Sequence, residues 1–287
     1  MPSNRLVVRY EMASARAVMA IALLLSSFEM AHAQTKLTAR YTLYMANVAI
    51  GEGDWTVEIG KDRYAAQSSG RLFGLWRTIL GSELSATSRG TAHQGRLAPT
   101  SYLANFSTDN RVNDVLVRFR DGAVSQAETN PVPEDPDHIP VTAALLRGVV
   151  DPLTAGLVPT PATADVLSPA ACQRTLPIFD GSQRFDMALS FKRMDNVKTD
   201  SGYRGPVVVC AMTYRPVAGY TPDALRIDYL KKNRDMEMWL APVPSSRLLA
   251  VFCIRIPTML GTAELRATQF DGGPQRQISR SPEPMQR

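Results

Sequence analysis

Apolar and polar positions alternate with period two over most of this chain, in short runs bounded by turn residues. In Arg184–Lys192, Phe185, Met187, Leu189 and Phe191 fall on one face, with Arg184, Asp186, Ser190 and Lys192 on the other. Thr38–Ala46 sets Tyr41, Leu43 and Met45 against Arg40, Thr42 and Tyr44, and Gly51 and Gly53 then mark the way into 54–59. Asp114–Arg120 sets Val115, Val117 and Phe119 against Leu116, Arg118 and Arg120. Asp121-Gly122 signals a hairpin into Ala123–Thr129. Further strands are predicted at 63–69, 83–91, 100–108, 173–179, 205–214, 225–230, 235–241, 247–256 and 262–270. Such alternation describes antiparallel strands with one buried and one wet face.

The middle of the chain breaks the pattern. Pro131–Pro140 is a Pro- and acid-rich connector. Val141–Val150 has Leu145, Leu146, Val149 and Val150 at helical spacing. Asp151 then stands as an N-cap with Pro152 at the first helical position. Residues 271–287 are polar and rich in Pro and Gly, as in a disordered tail. The expected fold is mainly β, one large antiparallel curved sheet or an open or closed barrel. A short central helical insert occupies about 141–157 of a single domain spanning 34–270.

The N-terminus has the three parts of a secretory signal peptide. Arg5, Arg9 and Arg16 form a basic leader, Ala17–Leu25 is an apolar run, and Ala31-His32-Ala33 supplies a cleavage site after Ala33. The apolar run is shorter than the ~20 residues a membrane span needs, so a periplasmic protein that does not span the membrane is expected. Loss of Arg5, Arg9, Arg16, Glu11 and Glu29 lowers the net charge from +5 to +4. That charge is spread along the chain, with Lys231–Arg234 its densest cluster, and does not suit a nucleic-acid partner. At 287 residues, 45% hydrophobic and 21% charged, the chain can bury a core and is neither collagen, coiled coil, wholly disordered nor polytopic.

In an oxidising compartment three cysteines suggest one disulfide and one free thiol. Three pairings are possible. Cys253 lies in the almost wholly apolar stretch Leu248–Ile256, where a small buried thiol fits. The expected disulfide therefore joins Cys172 to Cys210.

Several strings, taken in order, resemble the exported proteobacterial family called domain of unknown function 3108, in particular its alphaproteobacterial branch. They include Tyr44–Gly53 (YMANVAIGEG), Gly70–Gly74 (GRLFG), Leu97–Tyr102 (LAPTSY) and Asp151–Thr154 (DPLT). Later come Cys172–Arg184 (CQRTLPIFDGSQR), Gly205–Tyr220 (GPVVVCAMTYRPVAGY), Met238–Pro244 (MWLAPVP) and Ile256–Gly261 (IPTMLG). The resemblance covers about 40–270. It implies an exported, β-rich protein with no established activity, and cysteines where Cys172 and Cys210 stand. The family pattern often has a second Arg near the Phe-Asp-Gly segment, whereas Ser182-Gln183-Arg184 keeps one.

Catalytic and cofactor signatures are not found in the sequence. There is no G-x-S-x-G elbow, P-loop or H-E-x-x-H motif, and His93 and His138 lie in a turn and in the connector. No metal site and no cofactor are expected. Phe179-Asp180-Gly181 reads as a tight turn across which Arg184 would pair with Asp180, and Arg184 is also a candidate for binding an anionic ligand. Gly70–Leu80 reads as a core plug or barrel lid; functionally, Phe73, Leu75 and Trp76 would gate a cavity or touch a membrane. Leu248–Ile256 is apolar on both faces, as a central strand covered on both sides would be, and as a strand lining an apolar cavity would be. The expectation is a non-enzymatic envelope protein holding a lipid or lipid-linked glycan in a curved sheet. The alternatives are an interaction protein docking on an envelope protein without a small ligand, and an envelope-glycan hydrolase.

Overall fold

The computed structural model describes residues 35–80, 83–93, 95–108, 111–131 and 137–274. The leader read in residues 1–33 lies outside them, as does the tail from residue 275.

Seven strands follow one another as an antiparallel meander: β1 (Thr35–Met45), β2 (Val48–Ile59), β3 (Arg63–Leu72), β4 (Glu83–His93), β5 (Arg96–Thr108), β6 (Arg111–Arg120) and β7 (Ala123–Asn130). The second half adds β8 (Leu157–Pro159), β9 (Arg174–Phe179), β10 (Arg184–Lys198), β11 (Ser201–Gly202) and β12 (Arg204–Ala218). It ends with β13 (Met236–Pro242), β14 (Leu248–Thr258) and β15 (Gly261–Pro274). All belong to one sheet in the order β7-β6-β5-β4-β3-β2-β1-β15-β14-β13-β12-β10-β9, with β8 on β14 and β11 on β15. The halves meet where β1 pairs antiparallel with β15, from Thr35 opposite Pro274 to Met45 opposite Ala263. That pairing carries β15 past residue 270, because residues 271–274 find backbone partners on β1.

The ladder is not closed, since β7 and β9 are its two ends. The insert spans the gap. Gly148 N donates to Gly122 O beside β7, at 2.7 Å. Val150 N donates to Pro177 O, and Phe179 N to Val150 O, both at 2.9 Å on β9. This corrects the helix expected over Val141–Val150. Only a 3-10 turn, Ala143–Leu146, forms there, because Gly148 takes φ +68° and the backbone beyond it is used to join the sheet edges.

Three α-helices occur among the described residues: α1 (Gly74–Leu80), α2 (Pro152–Ala155) and α3 (Leu225–Lys232). The third corrects the strand expected at 225–230. Leu225–Lys232 lacks an alternating apolar face: Ile227 is its one buried residue, Asp228 pairs with Lys231 one turn on, and Lys231 and Lys232 suit a helix C-terminus.

Turns sort to two rims. The upper rim holds the 46–47 turn, α1, the 180–183 turn, α3 and the 259–260 turn; the lower holds the turns at 60–62, 121–122 and 243–247. Asp121 and Gly122 both have positive φ, as a type I′ hairpin requires. Gly51 and Gly53, which precede the strand expected at 54–59, lie inside β2. Their Cβ atoms would stand 2.7 Å from Arg71 O and Ser69 O, so glycine lets β2 and β3 approach in a sharply curved sheet.

The main core lies under the second half, where Leu37, Val57, Val158, Val208, Leu240 and Leu249 are fully buried. Each such aliphatic side chain contributes about 1.5–3 kcal/mol by burial. A smaller cluster packs Tyr102, Val117 and Phe119 against Val149 and Phe179 of the insert side. The disulfide joins Cys172 to Cys210, as expected, with Cα atoms 5.4 Å apart, and fastens the turn before β9 to β12. Cys253 is a buried free thiol.

Candidate functional site: an apolar cavity in the concave face

Cross-strand partners share a face, so the register defines rows on the inner surface. One row runs Val57, Ala66, Ser88, Tyr102, Val117. The next, toward the upper rim, runs Trp55, Ser68, Ala86, Ala104, Val115. The next runs Gly53, Gly70, Leu84, Phe106. In the two upper rows, Gly53, Ser68, Gly70, Ala86 and Ala104 are small. No long side chain projects from these positions into the concavity.

The result is a cavity of about 610 Å³ on the concave face. Its walls are Leu43, Leu72, Leu84, Phe106 and Leu265, and Leu153 of α2 stands beneath them. None of these six side chains is fully buried. The volume lies within the range of small-molecule sites. A smaller cleft of about 590 Å³ lies at the seam between the sheet edges, with Phe179, Gln183, Tyr220 and Arg226 among its lining. Another of about 560 Å³ extends the small-residue row toward Val115 and Thr129.

Beneath the cavity the insert is fastened by a buried polar network. Asp151 Oδ1 accepts the backbone N–H groups of Leu153 and Thr154, each at 3.0 Å, as the N-cap of α2. Its Oδ2 accepts Thr154 Oγ1 at 2.6 Å and Ser88 Oγ at 2.8 Å. Tyr64 Oη lies 2.6 Å from Thr154 Oγ1. Burial raises the Asp151 pKa, against the opposing effect of these hydrogen bonds. Burial and the nearby Asp151 push the Tyr64 hydroxyl up to about 12, so it stays protonated. Both Asp151 oxygens are occupied by partners within the fold, so the carboxylate acts as a staple between α2 and β3–β4.

The residues singled out from sequence do not come together. Arg184 donates to Asp186 at 2.6 Å and to Leu145 O at 3.2 Å, rather than pairing with Asp180. Asp180 instead caps its own turn, its Oδ1 accepting from Ser182 N, Gln183 N and Ser182 Oγ. The Asp carboxylate is within easy reach of those turn amides, and Asp186 shares a strand face with Arg184. Phe73, Leu75 and Trp76 stand at the upper rim, and Leu75 is 72% exposed, so it does not plug the core. The cavity walls were missed. The signal that carries them is glycine on the inward period of adjacent strands, at Gly51, Gly53 and Gly70. Burial, with Glu264 near by, pushes the Cys253 thiol up to about 12, which leaves it unreactive. Among the described residues no group of three or more His, Cys, Asp or Glu is placed to hold a metal ion. No helix among them is long and apolar enough to cross a membrane.

Residues 40–268 match a protein family described as "Protein of unknown function (DUF3108)". This chain belongs to that family. The match spans β1 to β15, so it takes in the cavity, the Asp151 staple and the disulfide of this DUF3108 member. No curated protein matches the chain. Among solved structures it is similar to the "Beta-barrel-like Protein of Domain of Unknown Function DUF1849 from Brucella abortus". The identity is 8%, the TM-score 0.44, and the match covers 83% of this chain and 97% of that one.

Proposed function

We propose that this DUF3108 protein is a non-enzymatic binding protein of the bacterial envelope. It holds the hydrocarbon part of an amphipathic lipid, or of a lipid-linked glycan, in the concave cavity. The observation that carries this reading is the open cavity of about 610 Å³ walled by Leu43, Leu72, Leu84 and Phe106. Such a surface is costly to leave in water and suits an apolar ligand. The lining also carries Glu52, which accepts from Arg71 at 2.8 Å, Asp54, which accepts from Arg40 at 3.1 Å, and Glu83, charges that suit the polar end of an amphipathic ligand. Asp151 is held by four donors, and His93 and His138 belong to opposite rims. An envelope location accords with the leader-like N-terminus and with the disulfide, which an oxidising compartment sustains.

The test is native mass spectrometry of the chain from residue 34, purified from periplasm, with displacement of a fluorescent fatty acid as the second measurement. A lipid mass lost on denaturation, and probe displacement by that lipid, are expected. Ser68→Phe fills the cavity from an inward position and should abolish probe binding while leaving the melting temperature within a few degrees. Unchanged probe binding by folded Ser68→Phe would remove the cavity from the reading.

A further inference from the structure

Three uncharged segments meet at the upper rim: Tyr41–Gly51, Leu72–Trp76 and Ile256–Ala263. Backbone hydrogen bonds hold them together, Ala46 N to Thr262 O at 3.0 Å and Phe73 N to Ile50 O at 2.8 Å. Their tips present apolar side chains to solvent: Val48 is 63% exposed, Met259 64%, Leu260 70%, and Leu75 and Phe73 stand beside them. These residues lie at the tips and end connections of separate strands, not in one strand's outer face. Together they form a protruding apolar ridge.

Basic residues border the ridge. Asn233 Nδ2 donates to Pro257 O at 2.8 Å, which places Lys231, Lys232 and Arg234 beside the Met259–Leu260 tip, with Asp228, paired to Lys231, and Asp235 in the same segment. Arg255 lies three residues before the end of β14, about 10 Å down the strand from that end. Around it Lys192, Arg193, Arg255 and Arg266 share two buried carboxylates: Glu237 pairs with the first two, Glu264 with the last two. Asp195 lies 3.5 Å from Arg193, and the cations still outnumber the acids. Arg193 and Arg255 both stack on Trp239, at 5.3 and 5.1 Å, and Arg266 stacks on Tyr44 at 5.3 Å. Apolar tips backed by cations match the layering of an anionic bilayer surface.

We propose that the upper rim docks on the surface of an anionic lipid bilayer, with Val48, Met259 and Leu260 entering the acyl boundary. Lys232, Arg234 and Arg255 lie against the head groups. This assignment goes beyond the lipid-binding reading and stands without it, because no step needs an occupied cavity.

The experiment is flotation of the chain from residue 34 with phosphatidylcholine vesicles, with and without phosphatidylglycerol. The wild type should float with the anionic vesicles, less so in high salt and less with phosphatidylcholine alone. Met259→Asp with Leu260→Asp should weaken binding about tenfold or more on anionic vesicles. Lys232→Glu with Arg234→Glu should remove the preference for phosphatidylglycerol. Leu103→Asp, on an exposed apolar residue in the middle of β5, should float like the wild type. The fatty-acid probe assay on the Met259/Leu260 variant should be unchanged, which separates failure at the rim from failure at the cavity. A wild type that stays with neither vesicle, a tip variant that floats normally, or equal loss in Leu103→Asp would each overturn the proposal.

Discussion

Ser88, fully buried on β4, donates its hydroxyl to Asp151 Oδ2 at 2.8 Å, across 63 residues of chain. That bond joins the N-terminal meander to the N-cap of the central helix. Asp151→Ala removes the cap and strands the hydroxyls of Ser88 and Thr154, so it should cost about 2–4 kcal/mol. Asp151→Asn keeps an acceptor for the helix amides and should cost less. The folded pKa of Asp151 is raised, so the native state holds its proton more tightly than the unfolded chain. Its contribution to stability is therefore greatest at low pH and is lost as pH rises through the folded value. In Asp151→Asn that slope should vanish, as denaturant titrations across pH 4–7 will show.

The acidic side behaves oppositely at Glu237. Burial alone would push its pKa up, but hydrogen bonds from Arg193 and Lys192 hold it below the ordinary carboxylate value. The stability it supplies is complete above the unfolded value, about 4.3, and is lost as pH falls through the folded one. Glu237→Gln should cost about 1–3 kcal/mol at pH 7. The melting temperatures of the two proteins should converge in acid.

Cys172 and Cys210 are separated by 38 residues, and their bond restricts the unfolded chain. Cys172→Ser should lower stability by about 4 kcal/mol in the loop-entropy description. Cys253→Ala should cost only about 1 kcal/mol. Alkylation of the denatured, unreduced protein should label one thiol, read by mass.

Gly53 and Gly60 give a backbone contrast. A Cβ at Gly53 falls 2.7 Å from Ser69 O, whereas at Gly60 the nearest atom is 3.4 Å away. Gly53→Ala should destabilise by about 1–3 kcal/mol, and Gly60→Ala should be close to neutral. Paired thermal melts decide it.

Strands with one wet face were the most legible. Arg184–Lys192 and Asp114–Arg120 read directly from alternation, and both lie within strands of the structure. The Cys172–Cys210 pair was legible because Cys253 sits in a two-faced apolar run, as β14 confirms. Leu225–Lys232 was misread because a surface helix with one buried residue offers no strong period of either kind. Val141–Val150 was misread because its spacing is helical, but its backbone bonds go to two distant strands. The cavity was illegible from composition alone. It arises where small residues of β2, β3, β4 and β5 come into register, and register belongs to the sheet rather than to any one strand.

The pairing of β1 with β15 also governs the order in which the molecule can be assembled. Residues 35 and 274 are neighbours in space, so β1 keeps an unpaired edge until the last strand has been delivered. Joining of the two halves must wait for a contact spanning nearly the whole domain, which predicts slow folding dominated by non-local pairing. Until then a chaperone or a second nascent copy would meet an open row of backbone donors and acceptors on β1. The same adjacency makes a circular permutant practical, with a short linker from 274 to 35 and new ends cut at the exposed Asp121-Gly122 turn.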